Sequence, residues 1–470
     1  MSAVKKLAGL SNSESFGRYS YLIDQLNKFA AECPDEIAFV SQKRSTSWKE
    51  FKAKVDLFLT SLKGYSHSRA LLMLDGRSVD DLALLVASSA VLKQAILLSS
   101  FHNKERSIEI LHQFNAHFIL CIQNGRVQEM ADNLEAESRT IGDEFIVGLL
   151  TSGTTGNPKC VQHDWERLAL AVRTKERYRG RRWLMGYHIT NFAGTQVFLQ
   201  CFMNGGCMVL PSDSPPGASL DAEMITENDV DYLNCTATYA RRLLLTMPPG
   251  VVGSLKHITL GGEIVDQSVI DSLKKKFPNA KISHIYASTE LGSSIEVRDE
   301  REGFPLKLID NVNLKIIDGE LHLRPSGRAM IGYLDQADGH STASFKLPVE
   351  GETSWVPTGD LIEVKDNRAL FLGRKDLVVN VGGFKVNPFT VEAVIREIDG
   401  VHEVLITAQK SPIVGNLLKA VVVARPGRDT QDLKMQILNH CKKRLPYYSV
   451  PRLFEFTEQL KYTTSNKIKR

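Results

Sequence analysis

No apolar stretch in this 470-residue chain is long and unbroken enough to span a bilayer. The best candidate, Leu82–Leu98, is interrupted by Lys93 and Gln94, which predicts a buried helix followed by a strand. Lys5 and Lys6 are not followed by the apolar core of a signal peptide, so a cytoplasmic location is expected. Cysteine is sparse and odd in number, with seven residues scattered without paired spacing. That argues against a disulfide framework or a zinc site and fits a reducing compartment. Excess charge is small too: a formal net charge of +4 does not point to nucleic acid. No internal repeat and no low-complexity segment is present. These exclusions leave a globular chain able to bury a large core and too long for one ordinary domain.

The charge is unevenly placed. From Leu377 to Arg470 there are 15 Lys and Arg against 8 Asp and Glu, so this part is basic and the rest slightly acidic. Such a module suits an anionic nucleotide, a cosubstrate or an acidic protein, and equally a solvated face with a charged tail.

Short apolar runs at Ala70–Leu74, Ala95–Leu98, His117–Ile122 and Phe145–Leu150 read as buried strands. Helical patterns, Val79–Leu92 and Lys104–Phe114, lie between them. The alternation resumes with Cys207–Leu210, Asp231–Cys235, His257–Leu260 and Lys281–Tyr286. It predicts α/β layers with largely parallel sheets. Hairpins follow, around Asp318-Gly319 and around Asp366-Asn367. The pattern restarts after Gly373–Asp376 as a small α+β unit: a helix from Asn387-Pro388 to about Ile398, strands His402–Ala408 and Leu417–Ala424, and a helix Thr430–Arg444. The expected division is a large α/β domain with β hairpins over 1–372, a hinge at 373–376 and a small domain over 377–470.

The most informative segment is TSGTTGNPK, Thr151 to Lys159, directly after an apolar strand. Gly153 and Gly156 let a backbone approach an oxyanion closely. Thr151, Ser152, Thr154 and Thr155 offer hydroxyl donors, and Lys159 a point charge. The segment looks like a polyphosphate loop. It is not a Walker A loop, because Gly153 and Gly156 are too close and Pro158 precedes the lysine.

This loop closely resembles that of the adenylate-forming superfamily, which includes acyl- and aryl-CoA synthetases, nonribosomal-peptide adenylation domains and firefly luciferase. Further motifs follow in the family's order: YASTE at Tyr286–Glu290, GELHLRPSGRAMIGYLD at Gly319–Asp335, TGD at Thr358–Asp360, GRKDLVVNVGGFKVNP at Gly373–Pro388, and TTSNKIKR at 463–470. The resemblance covers nearly the whole chain and implies a large domain with a small lid that rotates between two half-reactions. It implies that ATP, with Mg²⁺, converts a carboxylic acid to an acyl-adenylate, and that a thiol then displaces AMP.

The resemblance also implies residue roles. The loop 151–156 would hold the β- and γ-phosphates, with Lys159 near the leaving pyrophosphate. Cys160, where glycine is frequent, reads as a packing change rather than a catalytic thiol. Glu290 would hold Mg²⁺, a cation that takes one or two carboxylates plus substrate phosphates. Thr289 would bond the α-phosphate and Tyr286 would stack on adenine, which Gly261, Gly262 and Glu263 help to frame. Asp360 would accept both ribose hydroxyls, and Arg374 would add a charged bond to the same sugar. Asp376 matches the hinge residue. Gly382 and Gly383 lie on a strand that would approach the site in the thioester-forming pose, and Asn380 stands where many members have lysine. Lys467 would bridge carboxylate and α-phosphate. Asn466 stands where glycine is usual and Tyr462 where proline is usual, and PYYSVPR at Pro446–Arg452 fixes the register.

The acid-binding pocket falls on GYHITNFAGTQ, Gly186–Gln196. Two registers are open: His188 occupies the family's pocket position if an insertion follows it, Asn191 if Gly194 is the family glycine. Phe192, Tyr239 and the surroundings of Gly261 are candidate walls. Domains that activate α-amino acids carry an aspartate in this segment, and none lies between Gly186 and Gln196. A neutral, partly apolar acid is therefore expected. The leading reading is a carboxylic acid–CoA ligase. The alternatives are a stand-alone enzyme that loads the phosphopantetheine arm of a carrier protein, and a degenerate nucleotide-binding homologue.

Overall fold

The computed structural model describes residues 20–41, 44–66, 68–133, 136, 145–151, 158–211, 218–247, 253–290, 292, 294–309, 314–324, 329–334, 355–411, 415–462 and 467–470. Two large sheets dominate. In the first, strands Arg69–Leu74, Gln94–Ser99, Phe118–Gln123 and Ile146–Thr151 run parallel. Antiparallel strands Arg126–Asp132 and Lys159–Asp164 extend it on its two sides, and Gly332–Leu334 adds an outer strand beside the latter. In the second, Ile37–Ser41, Cys207–Val209, Arg182–Met185, Tyr232–Cys235, His257–Gly261 and Lys281–Ala287 are parallel neighbours in that order.

The strands are apolar throughout because both faces are covered. Leu72 and Leu97 point into a core shared with helices Trp48–Leu62, Val79–Val91 and Phe192–Phe202, together with Phe39, Trp183 and Met185 from the second sheet. Their neighbours Leu71 and Ile96 point the other way, against Ile110, Leu111 and Phe114. A layer of helices is thus sandwiched between the sheets, and Val79–Val91 is buried almost all round. The outer face of the second sheet packs on helices Ala237–Thr246 and Gln267–Lys276. Gln94, read as an interruption, is the first residue of its strand, and its side chain accepts from Arg69 Nε at 2.7 Å.

A five-stranded antiparallel sheet follows, with both expected hairpins. Asp318 and Gly319 have φ of +50° and +74°, and Asp366 and Asn367 +49° and +59°, the left-handed pairs that two-residue hairpin turns need. In the small C-terminal unit, helix Pro388–Arg396 starts with Asn387 accepting from Phe389 N at 3.0 Å. It packs with helix Thr430–Arg444 on the sheet of Val401–Ser411, Gly415–Ala424 and Leu453–Phe456. The protein is therefore α/β, with a large N-terminal and a small C-terminal domain. No described helix is long and apolar enough to cross a membrane.

Candidate active site

Ligands of parallel sheets bind beyond the carboxyl ends of the strands. Gly261 ends one strand of the second sheet and Ala287 the next, so Gly262, Glu263, Thr289 and Glu290 all follow at that edge. Glu263 is held by its neighbour across the sheet: Thr238 donates its N–H to Oε2 at 2.9 Å and its hydroxyl to Oε1 at 3.1 Å. Tyr187 donates to the Cys235 carbonyl at 2.6 Å, with the Gly261 carbonyl 3.1 Å away. These bonds fasten three strand ends together.

Tyr286 donates to Asp360 Oδ2 at 2.5 Å and stacks on Phe371, with ring centroids 4.9 Å apart. Burial holds the Asp360 carboxyl above its usual range, against the opposing pull of the Tyr286 hydroxyl and Arg374. The same burial, reinforced by the Asp360 charge, pushes the Tyr286 phenol up, so it stays a donor. Arg374 Nη1 lies 3.5 Å from Asp360 Oδ1 and donates to the Thr358 carbonyl at 2.8 Å, while its Nε reaches Asp376 at 3.3 Å. Gly359 makes this turn at φ +79°; a β-carbon there would stand 3.0 Å from the Arg374 guanidinium.

Lys467 arrives from the small domain. A β-carbon on Gly262 would lie 3.3 Å from its Cε and 3.6 Å from its Nζ, so the lysine rests on bare backbone. Loss of water lowers its ammonium below the ordinary lysine range, and the charges of Glu263 and Asp360 oppose that shift. The lysine from the small domain and the two carboxylates from the large one therefore share one site.

Glu290 accepts from Ser288 Oγ at 2.9 Å, and the Tyr333 hydroxyl is 3.4 Å from its other oxygen. That longer contact leaves the carboxylate coordinating capacity suited to Mg²⁺, together with substrate phosphate oxygens. The Lys159 ammonium stands 5.4 Å from the Tyr333 ring centre, and Thr151 pairs with Lys159 at the strand ends. Ser152, Gly153, Thr154, Thr155 and Gly156 lie outside the described residues. The Thr289 carbonyl is 2.8 Å from His163 Nε2; burial lowers that imidazole's affinity for a proton, so the neutral ring donates from Nε2. Cys160 is fully buried, its thiol pushed up to about 12 by burial, with its Sγ filling the space beside Gly148.

Both pocket registers converge on one place. Asn191 caps helix Phe192–Phe202 from outside without a side-chain bond, and its N–H donates to the His188 carbonyl at 3.0 Å. Gly194 is required there, since a β-carbon would come within 2.0 Å of that carbonyl. His188 is buried and bonded through Nδ1 to Thr190 Oγ1 at 2.8 Å, and burial lowers its pKa to about 4, so it is neutral. Its Nε2 and the Asn191 Nδ2 are buried without well-formed hydrogen bonds within the protein. Phe192 lies half-buried beside His163, with rings 5.7 Å apart. Tyr239 stands elsewhere. It is buried in the cluster on the outer face of the second sheet, donating to Asp221 at 2.8 Å, because its helix turns that face inward. Sequence reasoning passed over Tyr187, Thr238, His163 and Tyr333, whose roles come from strands and loops far apart in the chain. Tyr187 had a signal as the aromatic residue beside His188, and Tyr333 lies inside the motif Gly319–Asp335.

Residues 26–334 match the family model "AMP-binding enzyme", and 390–467 match "AMP-binding enzyme C-terminal domain". The chain belongs to this adenylate-forming family and is an AMP-forming ligase by class. Among curated proteins it is similar to the D-alanine–D-alanyl carrier protein ligase of Staphylococcus epidermidis, at 26% identity over 77% of each chain. The ligase of the same name from Staphylococcus aureus strain JH9 is 24% identical over 73% of this chain and 74% of its own. Among solved structures it shares its fold with the anthranilate CoA ligase AuaEII bound to anthranoyl-AMP, with a TM-score of 0.74 and 19% identity, covering 96% and 95% of the two chains. It also shares it with ATP-bound MatB from Rhodopseudomonas palustris, with a TM-score of 0.71 and 18% identity over 94% and 97%.

Proposed function

We propose that this protein activates a small carboxylic acid with ATP, releases pyrophosphate, and transfers the acyl group to the phosphopantetheine thiol of a separate carrier protein. The observation that carries the first step is the meeting of Lys467 with Glu263 and Asp360 at Gly262. A carboxylate is a poor acyl donor, and attack on the α-phosphorus turns its oxygen into part of a good leaving group. Catalysis of that attack is positioning plus neutralisation of negative charge. Lys467 supplies a positive charge where the carboxylate and α-phosphate meet, and Asp360 with Arg374 holds the ribose. Tyr286 keeps Asp360 oriented and stands at the adenine. Thr289 bonds the α-phosphate, and the loop 151–156 with Lys159 takes the rest of the polyphosphate. Mg²⁺ on Glu290 would spread the phosphate charge.

The carrier-protein acceptor is supported by the names of the curated relatives and by the basic small domain, which suits an acidic partner. CoA is the second reading, supported by the same thiol chemistry and by the shared fold with CoA ligases. For the acid, the curated relatives are named for D-alanine, an α-amino acid, whereas Asn191 in place of a carboxylate favours a neutral substrate, since burying an unpaired ammonium costs several kcal/mol. The test is hydroxamate trapping over a panel of acids, with pyrophosphate release measured in parallel. Pyrophosphate should appear only with a suitable acid and Mg²⁺; ADP and phosphate as products would overturn the reading.

A further inference from the structure

Lys467 is half-buried at the site but sits near the end of a short segment of the lid that has little core of its own. Its position must be set by neighbours. On one side, Lys469 N–H donates to the Lys461 carbonyl at 2.8 Å and Ile468 bridges to Tyr462. On the other, Arg470 places both terminal nitrogens on Glu392, Nη1 on Oε1 and Nη2 on Oε2, each at 2.8 Å. Its guanidinium also lies 3.8 Å from the centre of the Phe389 ring.

Glu392 is an anchor built for this. It is fully buried on helix Pro388–Arg396, between Val391 and Ile395 of the lid core. It also accepts from Ile406 N at 2.9 Å and from Arg396 Nη2 at 3.0 Å. Removing one partner of such a desolvated carboxylate leaves it uncompensated, which fixes the geometry strongly. The anchor also faces the large domain: Arg396 Nη1 is 4.0 Å from Asp266, which pairs with Arg241. The Arg470 clamp is therefore present in the pose that brings Lys467 to Gly262.

We propose that Arg470 is the positioning residue of Lys467: its bidentate bond to Glu392 and its stack on Phe389 hold the segment in the register that delivers the ammonium to the site. The catalytic half of this statement rests on the proposed function; the positional half does not. Lysine cannot replace arginine here, because it lacks the planar fork that meets both oxygens.

The first test needs no substrate. The full chain is pulsed with acetic anhydride, cut with a non-tryptic protease, and Lys467 labelling is measured against exposed Lys461 by mass spectrometry. Burial shields the Lys467 amine while its lowered pKa sharpens it, so the Lys467:Lys461 labelling ratio in the wild type reports the seated lysine; Arg470→Gln should close most of the gap between the two, with Arg470→Lys in between, at a temperature where each variant remains folded. An unchanged gap overturns the proposal. Should Arg470→Gln unfold, Glu392→Gln gives the same reading with the buried shape kept. The second test uses an acid found by hydroxamate trapping. Adenylation by Arg470→Lys should fall by up to about 10²-fold through kcat, the size of effect a shift of ~1 Å produces. Thioester formation from supplied acyl-adenylate should stay within about twofold. Equal loss in both half-reactions would make Arg470 merely structural.

Discussion

The two domains equip the site in different ways. On the large domain, each group proposed to serve the reaction is already bonded to its own fold: Glu263 to Thr238, Tyr286 to Asp360, Glu290 to Ser288, the Thr289 carbonyl to His163. The small domain contributes one ammonium, resting on a glycine of the other domain and lowered by loss of water. The first set is preorganised and costs nothing to reorient during reaction. The second depends on the contact between the domains, so a lid that moves as proposed would withdraw it and keep the wall intact. That asymmetry suits the proposed sequence of adenylation followed by entry of a thiol.

The sharpest way to break this comparison is Lys467→Ala. Adenylation should fall about 10²–10³-fold, as for loss of one charged transition-state donor. Conversion of supplied acyl-adenylate to thioester should change little; similar losses in both steps would mean that Lys467 is structural. Next in size is Asp376→Pro, which fixes φ at the proposed hinge. Thioester formation should drop by tens-fold and adenylation by less, and normal single-turnover rates for both would show that the lid does not pivot at this residue.

The wall is probed by Asn191→Asp. A carboxylate placed at this half-buried position should move the ratio of kcat/KM toward an α-amino acid over its deaminated counterpart by about tenfold, ~1.4 kcal/mol. No change in the ratio would remove Asn191 from the pocket. The smallest effect concerns the turn facing His188. Asp81 is buried and accepts from Asp75 N and Gly76 N at 3.0 Å each, and burial raises its carboxyl to about 7. Its folded pKa thus exceeds its unfolded one, so its contribution to stability is fullest in acid and is lost as pH rises toward 7. Asp81→Asn cannot ionise, so its stability relative to wild type should improve from pH 5 to pH 6, by roughly 1.3 kcal/mol. Urea midpoints at the two pH values measure this, and a constant difference would reject it.

Local chemistry made much of the fold legible. Asp318-Gly319 and Asp366-Asn367 announced their turns because few residues tolerate positive φ, and Asn387-Pro388 announced a helix start. Helix Thr430–Arg444 lies where its pattern placed it. Strand Arg126–Asp132 stayed hidden because it is a polar edge strand without buried alternation. Lys159–Asp164 was missed because its polar residues Gln162, His163 and Asp164 obscure the period, although the last two are buried. In the site, motif residues such as Asp360 and Glu263 were readable because their chemistry is carried by one side chain. The groups that hold them were not. Thr238 and Tyr333 lie far from their partners in sequence and meet them only in the folded chain, and Arg470 looked like part of a basic tail until Glu392 appeared opposite it.

Gly262 has a consequence for how such chains can be recombined. The lysine's seat is a missing methyl on the large domain, 205 positions from the residue that uses it. A lid taken from another synthetase would bring its own lysine, and a host with a side chain at that position would strain the turn at φ +78° and crowd the tip of that lysine. Compatibility between the two modules is thus set partly by an atom that neither possesses, and chimeras should be screened at position 262 before their hinges are redesigned.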